Sequence, residues 1–256
     1  MPPSSVTSSR TIQADPGLVC RLDAHALDAW PATVTERVDG GWVLRATPGL
    51  DRGRSNNALT PCRSLSATEI PDAIAQVEAF ASRHGIVPGI QVSPLSLHGT
   101  LMSELDRRGW GTRWTVLVLA APIERVEDAG TLNLADRATP DWLATWARCE
   151  PGRDVEAHAR TVFTRLAGRA TFARAGDGSA VGIAVEADGL VGLFCLAVDP
   201  ARRRGGLGTA MVRALLARST ADIAYLQVAE RNAPAVALYR RLGFSEAYRY
   251  CHRVAP

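Results

Sequence analysis

Apolar and polar positions divide the chain into two successions of elements. In the first, Leu18–Trp30 opens the ordered part. Thr33–Val38 and Trp42–Arg45 then flank Asp39-Gly40-Gly41, and Asp-Gly between such runs is a strong hairpin signal. Residues 47–64 are rich in Gly, Arg, Asn and Pro and predict a loop. Ile74, Val77, Phe80 and Ala81 recur at helical spacing behind Pro71, and His84-Gly85 ends that helix. Ile90–Val92 predicts a short strand, Leu97–Arg108 a second helix and Thr112–Ala120 a β-branched strand. Ala121–Gly130, with Pro122 and an acidic run, reads as a linker. The second succession is strand Thr131–Ala135, a helix capped by Thr139-Pro140, a helix around Val155–Ala167, and strands Ala170–Arg174, Ala180–Glu186 and Leu190–Val198. Helix Gly206–Arg218, strand Ile223–Val228, helix Asn232–Leu242 and strand Glu246–Val254 complete it. Leu190–Val198 is apolar throughout, the mark of a strand covered on both faces.

A short repeat links the two successions. Glu104–Trp110 and Leu238–Phe244 each end a helix and precede a strand, and setting Gly109 on Gly243 places Leu105 opposite Tyr239. With a Ser/Pro-rich flexible tail at 1–17, this divides the chain into related halves at 18–122 and 130–256.

Composition narrows the chemistry. All 29 basic residues are arginine, since the chain holds no lysine. That absence excludes a Walker A loop, a pyridoxal-phosphate enzyme and a kinase, each of which needs a lysine. A net charge of +3 over 256 residues gives no reason to expect a nucleic-acid partner. The five cysteines are scattered without metal-ligand spacing, so no metal site is expected and reduced cytosolic thiols are the reading. The N-terminus lacks the apolar core of a signal peptide, and the longest apolar stretches fall short of the ~20 residues that span a bilayer. The expectation is a soluble cytoplasmic protein with no membrane partner.

The most informative stretch is Val198–Met211, which joins the apolar strand to a helix. Leu207, Ala210, Met211, Ala214 and Leu215 form its apolar stripe, and Gly205, Gly206 and Gly208 lie at its start. Glycines there let a ligand approach unpaired N–H groups, and the helix dipole adds a preference for an anion such as phosphate. Arg202–Arg204 bring positive charge. A dinucleotide GxGxxG is not present.

Arg203-Arg-Gly-Gly-Leu-Gly208, after a strand ending Val-Asp-Pro, resembles the R/Q-x-x-G-x-G/A signature of the GCN5-related N-acetyltransferases (GNATs). Tyr225–Phe244 resembles that superfamily's second CoA-contacting region: strand, asparagine, helix, tyrosine, Leu-Gly-Phe. The likeness covers roughly 130–256. The N-terminal half, through Trp30-Pro31, Gly40-Gly41-Trp42 and Asp106–Trp110, resembles the degenerate half of tandem bacterial acetyltransferases.

The resemblance implies an α/β (α+β) fold of two GNAT-like halves, each a mixed, mostly antiparallel sheet flanked by helices. It implies acetyl-CoA as acyl donor, without a metal, and direct attack by a primary amine in a ternary complex. Backbone amides of Arg204, Gly205, Gly206, Leu207, Gly208 and Thr209 would hold the pyrophosphate, Arg203 would also bind the cofactor, and Leu196, Ala197 and Val198 would hold the pantetheine amides. Asn232 would contact the cofactor, cap its helix, or do both. Tyr239 lies on a helical apolar stripe, so it is either a core aromatic or the general acid that protonates the leaving thiolate. The base is open among Glu186, Asp199, Glu230 and water, because Gln227 stands where ribosomal-protein alanine acetyltransferases have glutamate. Cys195 reads as a small core residue, and His84 and His98 as loop residues. The N-terminal half lacks both motifs and is expected to bind no CoA and to wall the acceptor cleft. A small-molecule or peptide amine would be the partner, with the chain a monomer or homodimer. The alternatives are a CoA-binding regulatory or sensor module without turnover, and an arginine-based nucleic-acid binder.

Overall fold

The strand that ends the first half is built into the second. In the computed structural model, which describes residues 12, 14–94, 99–123 and 132–256, eleven strands form one sheet in the order β1-β2-β3-β4-β11-β5-β10-β9-β8-β7-β6. These are β1 (Val34–Arg37), β2 (Val43–Ala46), β3 (Asn57–Leu59), β4 (Gly89–Val92), β5 (Gly111–Pro122), β6 (Leu132–Ala135), β7 (Ala170–Ala175), β8 (Ala180–Ala187), β9 (Leu190–Val198), β10 (Ile223–Ala229) and β11 (Ser245–Val254). The helices are α1 (Pro16–Ala29), α2 (Ile70–His84), α3 (Gly99–Arg107), α4 (Pro140–Cys149), α5 (Val155–His158), α6 (Thr164–Leu166), α7 (Leu207–Leu216) and α8 (Ala233–Arg241). Most of the linker, Thr131 and His98 lie outside the described residues, as does the tail before Ile12.

The sheet centre has a local two-fold logic. Strand, helix and strand recur as β4-α3-β5 and β10-α8-β11, and each unit's last strand pairs with the other unit's first. Thus β11 runs antiparallel to β4, β5 runs antiparallel to β10, and β5 and β11 pair with each other. The repeat in the sequence is the seam of this interlock. Gly109 (φ 75°) and Gly243 (φ 87°) end their helices in the left-handed region that glycine adopts without a Cβ penalty. Trp110 N then donates to Leu105 O at 2.9 Å, and Phe244 N to Tyr239 O at 3.0 Å, the same closing bond in both.

Helix α1 also crosses the halves. Asp15 caps it, accepting from Leu18 N at 2.8 Å. Its apolar face buries Leu22 and Trp30 with Trp142, Trp146, Phe163, Phe172 and Phe194 of the second half. The opposite face of the second half's sheet is covered by α7 through Met211, Val212 and Leu215. α2 covers the first half with Ile74, Val77 and Phe80 against Ile90 and Trp110.

Three expectations change. The loop at 47–64 contains β3, three residues that gain their pairing from β2 and β4 rather than from any run of their own. The helix around 155–167 is interrupted by a π-type turn over Ala159–Phe163. The reduced-thiol reading fails for Cys20 and Cys62, which form a disulfide. Folding sets α1 beside the loop before α2 and brings their Cα atoms to 5.6 Å, within the bridging range, although 42 residues separate them in sequence. Cys149, Cys195 and Cys251 are free.

Burial makes the fold acid-sensitive. His25, His158 and His252 are each buried and held below the ordinary histidine range by desolvation. His252, stacked on Trp114 at 5.0 Å and repelled by Arg113 and Arg45, is pushed down to about 4. A depressed histidine stabilises fully above its unfolded value of 6.5, and that stability is lost as pH falls toward about 4. For His252 this is worth about 3 kcal/mol. Asp23, pushed up to about 6 by burial, works in the opposite sense over part of the same window, but it is one group against three. Thermal denaturation should therefore show Tm falling from pH 7 to pH 5, and His252→Phe should flatten the slope. An unchanged slope would refute the role given to His252.

Candidate active site

The site begins at an irregularity in β9. Ile183 faces Phe194 and Val181 faces Ala197, so Cys195 and Leu196 together stand opposite Gly182. This is a β-bulge, with Cys195 forced to φ 48°, a left-handed conformation that costs an L-residue roughly 1–2 kcal/mol. Glycine at 182 makes room, since a Cβ there would meet Leu196 Cδ2 at 2.8 Å. β9 and β10 are parallel partners only through Leu193 and Leu226. Beyond that β10 stays with β5 through Ala229, while β9 turns away with its C-terminal half unpaired on that side.

A groove of about 830 Å³ opens there, lined by Leu196–Val198, Arg204, the start of α7 and one face of α8. Gly206 precedes α7 at φ 81°, and the first helical bond is Ala210 N to Gly206 O at 3.0 Å. The amides just before Ala210 are thus the ones a helix leaves without partners. Gly208 keeps the groove open, because a Cβ there would meet Leu238 Cδ2 at 3.0 Å. Unpaired amides at a helix N-terminus, a glycine wall and Arg204 suit a phosphate-bearing chain.

Most of the residues singled out in the sequence converge on this groove: Leu196, Ala197, Val198, Arg203, Arg204, Gly206, Leu207, Gly208, Thr209, Asn232 and Tyr239 all line it. Gly205 lies in the turn before α7 and outside the lining. The Arg203 guanidinium is engaged with protein, donating to Val198 O at 3.2 Å and Cys149 O at 3.5 Å. Arg202 pairs with Asp177 at 3.2 Å, away from the groove.

A second cavity of about 460 Å³ meets the groove, and Tyr239, Asn232, Ala235 and Glu150 line both. Its far wall comes from the N-terminal half, through Arg52, Arg54 and Trp114. Tyr239 is buried on α8, and burial, with the Glu150 charge adding to it, pushes its hydroxyl up to about 12. Asn232 caps α8, its Oδ1 accepting from Ala235 N at 3.4 Å, and it lines both cavities.

The candidate bases do not reach the junction. Glu186 accepts from Ser219 and Thr220, and Asp199 accepts from Ala201 N and pairs with Arg148 at 3.3 Å. Glu230 pairs with Arg249 at 2.9 Å. None of the three lines either cavity. The carboxylate at the junction is Glu150, which the sequence reading missed. It is the residue that ends α4, and nothing local distinguishes it from an ordinary helix-terminal glutamate. Gln227 lines the second cavity and accepts from the Tyr250 hydroxyl at 3.2 Å. Cys195 lines that cavity too rather than the deep core, and burial pushes its thiol up to about 11, which leaves little thiolate at neutral pH. His84 ends α2, packed on Phe80 at 4.5 Å. Among the described residues no cluster could hold a metal ion, and no helix is long and apolar enough to cross a membrane.

A groove between splayed parallel strands, ending on a glycine-lined helix N-terminus and meeting a second cavity at a tyrosine, defines a GNAT-type acyltransferase. The family model "Probable histone acetyltransferase Rv0428c C-terminal" matches residues 19–253, and the chain belongs to that family. It is 26% identical over 250 residues to the uncharacterized N-acetyltransferase YobR of Bacillus subtilis, covering 91% of this chain and 97% of that protein. A 59-residue stretch is 46% identical to the ribosomal protein bS18-alanine N-acetyltransferase of Escherichia coli, covering 22% of this chain and 39% of that one. In fold it is similar to a GCN5-related N-acetyltransferase from Kribbella flavida, with a TM-score of 0.65 at 15% identity over 96% of this chain and 97% of the other. It is also similar to a tandem GNAT protein from the clavulanic acid pathway, with a TM-score of 0.60 at 14% identity over 96% and 89%. The chain is an N-acetyltransferase of the GNAT superfamily.

Proposed function

We propose that the protein moves the acetyl group of acetyl-CoA to an amine by direct attack, with donor and acceptor bound together. The observation that carries this reading is the meeting of two cavities at Tyr239 and Glu150. Acetyl-CoA supplies the acetyl group activated as a thioester. The α7 amides and Arg204 would hold its phosphates, and the unpaired edge at Leu196–Val198 its amides. The Tyr239 O–H donates a proton to the departing sulfur, and its high pKa keeps that proton in place at neutral pH. An amine arriving as an ammonium ion must lose a proton before it attacks. Glu150, about one-third exposed and paired with Arg153 at 3.4 Å, is the carboxylate placed to accept it, directly or through a water.

Glu150→Gln tests the assignment. With acetyl-CoA and an amine panel, kcat/KM should fall about 100-fold, in the range of a lost general base. Acetyl-CoA affinity should be kept in a direct titration. Full turnover in this variant would remove Glu150 from the mechanism.

A further inference from the structure

The acceptor cavity carries an excess of positive charge. Arg52, Arg54, Arg113, Arg153 and Arg231 line it, against the carboxylates of Asp51 and Glu150. Those two are already engaged, Asp51 with Arg113 at 3.4 Å and Glu150 with Arg153 at 3.4 Å. Arg52 and Arg54 have no carboxylate within ion-pair distance among the described residues. Both belong to the turn around Gly53–Ser55, supplied by the half that lacks the CoA motifs.

These two side chains are held in place without being neutralised. Arg52 lies over the Trp30 ring at 4.7 Å, and Arg54 lies 5.6 Å from Trp30 and 5.4 Å from Phe194. Trp30 is fixed in turn, fully buried with its indole N–H donating to Ser55 Oγ at 2.9 Å. Aromatic faces stabilise a guanidinium but use none of its N–H donors. Arg54 stands beside the Tyr250 hydroxyl. The Arg52 guanidinium makes no hydrogen bond among the described residues, although burial is strong enough to lower its pKa to about 10. A partly desolvated guanidinium without a counter-ion carries a cost, and an oxyanion received by its planar fork would offset it. Neither arginine lines the donor groove, so the phosphates of CoA are not the missing partner.

We propose that the acceptor is a small amine that also bears an oxyanion, a carboxylate or a phosphate. Its anion sits on Arg52 and Arg54, and its amine points to Glu150 at the junction with the donor groove. The proposal rests on the acetyl-transfer reading and names its substrate class. It also disfavours a lysine- or arginine-rich peptide tail, whose charges would face this cavity with the wrong sign.

The test pairs amines that differ in the anion: alanine against alaninamide, and 2-aminoethyl phosphate against ethanolamine. An arginine- and lysine-rich peptide is a further arm. Each is titrated by calorimetry into the CoA-saturated protein and assayed separately for CoA release from acetyl-CoA. The anionic member should be preferred on the order of 10- to 100-fold, as a charge-assisted contact implies, and the pair with the larger ratio identifies carboxylate or phosphate. Arg52→Met and Arg54→Met should lose the preference, and Arg52→Lys should recover part of it. As a readout independent of turnover, Arg52→Met should raise the Tm of the ligand-free protein and abolish the Tm gain on adding 2-aminoethyl phosphate. Equal or better binding of the neutral amines or the cationic peptide overturns the proposal. Preferential anion binding without CoA release would keep the anion site on Arg52 and Arg54 but remove the transferase reading, and with it the ligand's role as acceptor. CoA release without an anion preference would do the reverse.

Discussion

Tyr239→Phe should lower kcat by about 100- to 1,000-fold, the scale on which a positioned acid contributes, while acetyl-CoA still binds. The substitution removes one oxygen and little else. Tyr239 packs on α8 against Phe244 at a ring distance of 6.1 Å, and no described residue hydrogen-bonds its hydroxyl, so phenylalanine keeps the packing and leaves no partner unsatisfied. The loss therefore reports chemistry and not folding. With the hydroxyl pushed up to about 12, the wild-type profile should show no alkaline limb from Tyr239 across the ordinary assay range. Assays of CoA release and titration with acetyl-CoA check the two halves of the expectation. A variant with undiminished kcat would return Tyr239 to the role of a core aromatic. Wild-type protein that binds acetyl-CoA yet turns over no amine would favour the sensor module.

The segment 130–256 made alone should fail to fold, although it carries every residue assigned to the donor groove. Without β5, β10 loses an antiparallel partner at seven registered positions, Ile223↔Pro122 through Ala229↔Val116. β11 loses both neighbours, β4 and β5. Unpaired edges of this length promote aggregation. Loss of α1 would also expose the aromatic cluster around Trp142, Phe163 and Phe194, from which Trp30 excludes water. Circular dichroism and acetyl-CoA binding of 130–256, alone and co-expressed with 1–123, provide the check. Recovery on co-expression is expected. A folded, binding-competent 130–256 would show that the interlock is dispensable.

Comparison of these two cases shows which properties were legible in the chain. Tyr239, Asn232 and the Arg203–Thr209 turn were identifiable because their information is local: a cap, a glycine turn and an apolar stripe lie within a few residues of each other. The recurrence at Gly109 and Gly243 was legible for the same reason, since a helix stop depends on the backbone freedom of one residue. What the repeat meant was not legible. Nothing in Gly111–Pro122 says that it pairs with β10 and β11 rather than staying with its own half, because an apolar β-branched run is compatible with any open edge.

The same division holds for the site. Gln227 already showed that the usual position for a glutamate is empty of a base, but three nearby acids looked equivalent until the fold assigned Glu186, Asp199 and Glu230 to other bonds. Glu150 became a candidate through where α4 ends, and Arg52 and Arg54 through a loop that the other half lays over the cavity. Cys20 and Cys62 meet on similar terms.

By itself, then, the sequence determined the order and type of most elements, the glycine-lined start of α7 and the tyrosine proposed as the acid on α8. Each depends on backbone and side-chain preferences acting over a single turn or strand. Only the tertiary structure decided which half completes which, which carboxylate lines both cavities and what charge lines the second of them. Those depend on burial and pairing between residues far apart in the chain, and hydrophobic burial, being non-directional, leaves no local mark of its partner.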